Sequence, residues 1–284
     1  MLIRILSSLL GCAIIIPVLV FSDTWAFPIF MALVSLISVY EMLRCIGVHK
    51  KYHFTVPFCI FGAAMPILAR LSVVKPVFDF AFIVLAVCAI SAIYLLTVSL
   101  FSREKFSIEK ASTVFLTLFY ILGGYTALVL LRDFEAIGGY IYILTFVGAW
   151  FTDIFAYFTG RFLGRHKLIP DISPKKTVEG SIGGIFFCVV AYIVYGIALQ
   201  NLFGLKPNYI VLAIVAVLIS FVSQAGDLTM SAIKRKFGIK DFGKIMPGHG
   251  GLLDRFDSVI PVSLLLYFAF RAVESFGFSV FTII

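Results

Sequence analysis

Nine stretches of this chain are each long and apolar enough to form a membrane-spanning helix, and too little lies between them to build a soluble domain. The hydrocarbon layer of a bilayer is roughly 30 Å thick and a helix rises about 1.5 Å per residue, so about 20 mostly apolar residues cross it. The stretches lie near 5–22, 25–47, 55–72, 80–101, 113–131, 139–160, 181–205, 208–230 and 258–280. The third is the weakest, carrying Pro57 and Pro66 and ending on Arg70, so a count of eight spans stays open. Composition excludes the soluble alternative, since 61% of the residues are hydrophobic and only 13% are charged. The expected fold is an all-α, polytopic integral membrane protein of about nine helices joined by short loops. The first stretch follows only Arg4 and shows no small-x-small cleavage site, so it reads as a retained helix rather than a removed signal peptide.

Orientation follows from Lys and Arg, which gather in cytoplasmic loops. With nine spans, only Arg70, Lys75, Arg132, Lys206 and Arg271 of the 23 fall on one side; the rest, including Arg4, Arg44, Arg103, Lys105 and Lys110, fall on the other. The N-terminus is therefore expected inside and the C-terminus outside. The five cysteines, Cys12, Cys45, Cys59, Cys88 and Cys188, lie in or at the ends of apolar stretches with no C-x-x-C, and read as small buried hydrophobes.

Residues 1–110 are chemically bland. Their Glu41 and Arg44, at i and i+3, read as a pair near a helix end, and at the far end of the chain Arg271 and Glu274 read the same way. Chemistry is expected in residues 111–284, which carry two long inside loops, 161–180 and 231–257, mixing charge, Pro and Gly with aromatic and aliphatic residues. Neither a G-x-x-x-x-G-K-[ST] phosphate loop nor a G-x-G-x-x-G fingerprint is present, and nucleic acid is not expected as a partner.

Two acids lie inside spans six and eight, Asp153 and Asp227, where an isolated charge costs about 2.5–3.5 kcal/mol at helix-centre depth. The topology brings both toward the inner surface, where Asp254 and Asp257 open the ninth span. Four carboxylates at one depth make a site for a hard cation such as Mg²⁺, which takes oxygen ligands and commonly shares them with a phosphate. The bordering loops supply Arg161, Arg165, Lys167, Lys175, Lys176, Lys234, Arg235, Lys236, Lys240, Lys244 and Arg255. Cations beside acids suit a polyphosphate, whose oxygens need donors while the metal bridges them, so a nucleotide substrate is implied. Ser173-Pro174 can open a turn that presents Lys175-Lys176-Thr177, and the run from Pro247 to Gly251, with His249, Gly250 and Gly251, suits backbone pressed against a ligand. Blander readings stand beside these. Lys234, Arg235 and Lys236 suit anionic lipid, Asp153 suits a pairing with Arg161 or a helix cap, Asp241 a pairing with Lys240, Asp257 a pairing with Arg255, and His249 a turn.

The run Ser231-x-x-Lys234-Arg235, Lys240-Asp241, then Pro247-x-His249-Gly250-Gly251-x-x-Asp254-Arg255-x-Asp257 resembles the signature of the phosphatidate cytidylyltransferase family, also called CDP-diacylglycerol synthases. The run from Asp153 through Ala156-Tyr157, Gly160-Arg161 and Gly164-Arg165 to Ser173-Pro174-Lys175-Lys176-Thr177 and Glu179-Gly180 resembles that family's second block. Met246 and Val178 depart from its usual residues, and both are apolar. The likeness is strongest over 150–260.

The resemblance implies condensation of CTP with phosphatidic acid to CDP-diacylglycerol and pyrophosphate for phospholipid biosynthesis, in a cytoplasmic (plasma) membrane with the active site facing the cytoplasm. It implies Mg²⁺, leaves open a second, monovalent cation, and suggests a homodimer. Asp227 and Asp254 are then the expected metal ligands, with Asp257 and Asp153 beside them. Lys240, Lys175 and Lys176 hold the departing pyrophosphate and His249 donates to a phosphate oxygen; Ser173, Thr177, Lys234, Arg235, Asp241, Gly250, Gly251 and Arg255 line the substrates. Two rivals remain on sequence grounds. A CTP-dependent polyprenol or lipid kinase would share the basic and acidic surface. A cation transporter would use Asp153 and Asp227 as a relay, but predicts acids spread through the bilayer rather than gathered at one face.

Overall fold

The computed structural model describes the chain apart from residues 1, 76–77, 103–105, 249, 278–279 and 284, and apart from the side chains of residues 2–8, 10, 12, 135 and 283. Arg103, Lys105, His249 and the side chains of Arg4 and Cys12, all used in the sequence argument, therefore lie outside the described residues.

The chain is helical almost throughout, as a bilayer demands of any segment that must satisfy its backbone hydrogen bonds internally. The helices are α1 (Leu2–Val20), α2 (Ala26–Ile46), α3 (Tyr52–Val74), α4 (Phe80–Phe101), α5 (Ile108–Arg132), the single turn α6 (Gly138–Ile141), α7 (Ile143–Leu163), α8 (Val178–Phe203), α9 (Tyr209–Lys236), the single turn α10 (Leu253–Phe256) and α11 (Val259–Ser275). Among the described residues, seven spans are long and apolar enough to cross a membrane: α2, α3, α4, α5, the run Gly138–Leu163, α8 and α9. Among the described residues, nine long helices overlap the nine apolar stretches. The third is continuous over 23 residues with Pro57 and Pro66 inside it, so a kink-prone sequence did not shorten the span.

Two expectations need adjusting. Span eight was placed at 208–230, but α9 runs on to Lys236, so Ser231–Lys236 is helix rather than loop and Asp227 stands more than two turns from the helix end. Loop 161–180 is a β-hairpin, β1 (Lys167–Ile169) antiparallel to β2 (Ser173–Thr177), with Lys167 opposite Thr177. A second small pair, β3 (Leu205–Pro207) and β4 (Phe281–Ile283), ties the α8–α9 turn to the C-terminal segment. Of the described cysteines, Cys45 and Cys188 are buried as expected, whereas Cys59 and Cys88 are only partly so. Arg271 Nη1 lies 3.5 Å from Glu274 Oε2, as their spacing predicts.

Two compact units divide the chain. One holds residues 1–130 and 239–254, the other 131–238 and 255–284. In the first, α2 packs on α3, and Ser38 Oγ meets Tyr125 OH at 2.8 Å, tying α2 to α5. In the second, α7, α8 and α9 form the centre, and small residues let α7 and α8 approach closely. Without a hydrophobic drive between helices in lipid, such packing carries association. A Cβ on Gly183 would run into Thr159, and one on Gly148 would stand 2.5 Å from Ile219 and 2.8 Å from Tyr192 OH. Hydrogen bonds cross the same helices: Thr152 Oγ1 donates to Ser220 Oγ (2.9 Å) and Tyr192 OH to the Leu144 carbonyl (2.8 Å).

Candidate active site

In the second unit, three carboxylates from distant parts of the chain influence one another: Asp153 on α7, Asp227 on α9 and Asp257 at the junction of α10 and α11. Two lysines stand among them. Lys176 Nζ lies 2.6 Å from Asp227 Oδ2, both groups about a quarter exposed, and Lys234 Nζ lies 4.0 Å from Asp257 Oδ2. Hydroxyls complete the set: Ser258 Oγ donates to Asp153 Oδ2 at 3.0 Å and Ser231 Oγ to Asp227 Oδ1 at 3.4 Å. Burial pushes the Asp257 carboxyl up to about 7; the negative charge of Asp227 and then of Asp153 adds to the rise, and Lys234 and the Ser258 backbone N–H oppose it.

The β-hairpin presents Lys176 through a clasp built on Thr177. Thr177 is buried, caps α8 by accepting from Gly180 N (3.1 Å), and sits among three glycines. A Cβ on Gly160 would lie 2.7 Å from Thr177 Oγ1, one on Gly164 2.8 Å from its Cγ2, and one on Gly180 2.9 Å from its Oγ1. Glu179, in the first turn of α8, straps the loop down, accepting from Arg165 N (3.0 Å) and His166 N (3.2 Å) and meeting His166 Nδ1 at 2.6 Å. The Gly, Thr and Glu positions of this block thus have a packing role, while Lys175 is left exposed and Lys176 is aimed at Asp227.

Residues 239–254 belong to the first unit, where Asp254 Oδ2 accepts from Phe242 N (2.8 Å) and Gly251 N (2.9 Å) and so ties the loop into a ring. Met246 N bonds the carbonyl of Gly250, whose φ of +90° only glycine adopts readily. Lys240 and Asp241 are exposed on this loop, and Gly251 is buried in it.

Asp153, Asp227 and Asp257 are hard oxygen donors, the chemistry a divalent cation such as Mg²⁺ prefers. Among the described residues, no three acidic, His or Cys side chains yet converge closely enough to hold an ion by themselves. Lys176 already supplies the positive charge at Asp227. The donor set fits in kind, and Asp153, Asp227 and Asp257 are the residues that would hold such an ion.

The sequence model of the cytidylyltransferase family matches residues 2–273. The chain belongs to the cytidylyltransferase family. Membership makes it a nucleotidyltransferase, and the acid and lysine cluster lies inside the matched region. A phosphatidate cytidylyltransferase of Staphylococcus haemolyticus is 35% identical over 265 residues, covering 93% of this chain and 96% of the relative. One of Bacillus subtilis is 38% identical over 178 residues, covering 63% of this chain and 65% of the relative. One of Staphylococcus epidermidis is 40% identical over 172 residues, covering 60% of this chain and 63% of the relative. The matched segments of the last two thus span a little under two thirds of those relatives.

Sequence reasoning missed two hydrogen-bonding roles. Ser258, adjacent to Asp257, gave no signal as the donor to Asp153 across 105 positions. Glu41 was read as the partner of Arg44, yet its carboxylate accepts from the backbone N–H groups of Leu252 (3.1 Å) and Leu253 (2.8 Å). The one available clue was a lone acid in an otherwise apolar span.

Proposed function

We propose that this chain condenses CTP with phosphatidic acid at the cytoplasmic face of a plasma membrane, releasing pyrophosphate and leaving CDP-diacylglycerol in the bilayer. The carrying observation is the cluster of Asp153, Asp227 and Asp257 with Lys176 and Lys234, carried by α7, α9, the hairpin and the α10–α11 junction of a cytidylyltransferase 35% identical over 93% of its length to a phosphatidate cytidylyltransferase. A lipid phosphate reaches such a site from the bilayer, and a nucleotide reaches it from the basic loops.

An oxygen of the lipid phosphate forms a bond to the α-phosphorus of CTP as the bond from that phosphorus to the bridging oxygen of the β-phosphate breaks; the electron pair leaves with pyrophosphate. The attacking phosphate has a second pKa of about 6, so it is largely dianionic near neutral pH and no strong general base is required. Lys175 and Lys176 on the hairpin serve as point-charge donors to the triphosphate and to the pyrophosphate, and the family resemblance adds Lys240 as a further candidate donor. Mg²⁺, when bound by Asp153, Asp227 and Asp257, supplies neutralising charge to the phosphates. Lys234 balances Asp257, and Ser258 orients Asp153.

The test is incubation of the detergent-purified protein with labelled CTP, phosphatidic acid and Mg²⁺. A lipid-soluble cytidine product with one equivalent of pyrophosphate is expected. Asp227→Asn should lower turnover about 10²–10³-fold while eluting as a single folded species, by analogy with the loss of a principal charge-stabilising group. Transfer of the γ-phosphate to lipid with release of CDP would replace this reading by that of a lipid kinase.

A further inference from the structure

We infer that Glu41, deep in the N-terminal helices, is a positioning residue for the loop of residues 239–254, so that α2 is part of the catalytic apparatus and not only a membrane anchor. Glu41 is 2% exposed. A carboxylate is hardly ever so buried unless its charge is met, and here it is met by backbone: Leu252 N donates to Oε1 and Leu253 N to Oε2. With Gly251 N donating to Asp254, three consecutive N–H groups are held by two carboxylates. Asp254 in turn holds Phe242 N, next to Asp241 and Lys240. The chain of fixed atoms therefore runs from α2 through the loop to the neighbours of Lys240 and Asp241.

The loop is shaped for this carboxylate. A Cβ on Gly251 would stand 2.6 Å from both Glu41 oxygens, and a Cβ on Gly243 would overlap Oε1. Both glycines let the backbone close around a side chain that comes from 200 residues earlier. An ordinary buried salt bridge would not need them, because side chains can turn aside where backbone cannot.

The consequence for turnover rests on the reading of this loop as the nucleotide side of the proposed reaction; the consequence for the backbone does not. The experiment compares wild type, Glu41→Ala, Glu41→Gln, Gly243→Ala and the double variant Glu41→Ala/Gly243→Ala, using the full chain in detergent with CTP, phosphatidic acid and Mg²⁺. Hydrogen exchange of the peptide spanning Leu252 and Leu253 is read alongside the kinetics. Glu41→Ala should accelerate that exchange and lower kcat/KM for CTP about 10²-fold, the scale of a 1 Å misplacement, with KM for phosphatidic acid within about twofold. Glu41→Gln keeps one acceptor and sets an N–H₂ against the other donor, so it should fall between, and it serves the same comparison if Glu41→Ala does not elute as a single species. Gly243→Ala alone should match Glu41→Ala, yet add much less in the double variant than it costs alone, because the Glu41 atoms it overlaps are gone and only the 3.0 Å approach to Gly251 Cα remains. Wild-type CTP kinetics in both Glu41 variants, or fully additive losses in the double variant, would overturn the inference. If wild type makes no CDP-diacylglycerol, the reaction assignment fails, and the exchange comparison still decides whether Glu41 holds the loop.

Discussion

Replacing Gly180 with alanine asks whether the clasp around Thr177 sets the place of Lys176. The new Cβ would stand 2.6 Å from the carbonyl oxygen of Ala156, 2.9 Å from Thr177 Oγ1 and 3.0 Å from Cα of Gly160. Comfortable contact begins near about 3.5 Å, so something must retreat by close to ~1 Å. Two of the three obstacles are backbone of α7, which cannot rotate away, so α7 and α8 must separate. Overpacking of this kind costs about 1–3 kcal/mol, and with roughly 2–4 °C lost per kcal/mol the melting temperature should fall by about 2–12 °C. The first turn of α8 carries Thr177 and the hairpin strand ahead of it, so Lys176 moves with it, and a displacement near 1 Å predicts about a 10²-fold loss in kcat/KM. The assay is thermal unfolding in detergent together with pyrophosphate release. Gly139→Ala is the control, since nothing lies within 4 Å of its Cβ, and it should leave both readouts unchanged. A Gly180→Ala protein indistinguishable from that control would refute the argument that close α7–α8 contact positions the lysine.

Thr177→Ala removes the acceptor for Gly180 N and should cost about 1 kcal/mol, read as a melting temperature lower by a few degrees, with Thr177→Ser recovering most of it because the hydroxyl is kept. For Asp257 the sign follows from a carboxyl raised from its ordinary 3.8 to about 7. The folded, metal-free protein holds a proton there that the unfolded chain has lost, so the contribution to stability is complete below about pH 4 and is lost as pH rises through about 7. The span from 3.8 to about 7 is worth at most about 4 kcal/mol. Asp257→Asn should therefore flatten the pH dependence of melting between about pH 4 and 8 in the presence of a chelator, and be the more stable protein at pH 8; parallel curves for the two proteins would contradict this.

The membrane class, the nine apolar stretches and the two polar blocks were legible along the chain because hydropathy and motif spacing are local properties that a short window carries whole. Pro57 and Pro66 made the third stretch the weakest of the nine, yet α3 runs unbroken through both. The end of α9 was misjudged because Ser231–Lys236 is charged and reads as loop, although its helix simply continues beyond the apolar stretch. The acids were recognised, but not their company. Only the folded chain decides that Asp227 meets Lys176, that Asp153 takes the hydroxyl of Ser258, and that Asp254 spends an oxygen on Phe242 and Gly251. Glu41 marks the limit most clearly. Its neighbour in sequence, Arg44, does act on it electrostatically, but its backbone hydrogen-bond donors lie 211 and 212 positions away. A one-dimensional pattern fixes which face of a helix is apolar. It contains no term for which distant backbone N–H will be brought beside a buried carboxylate, because that depends on how helices pack and where small residues let the backbone come close.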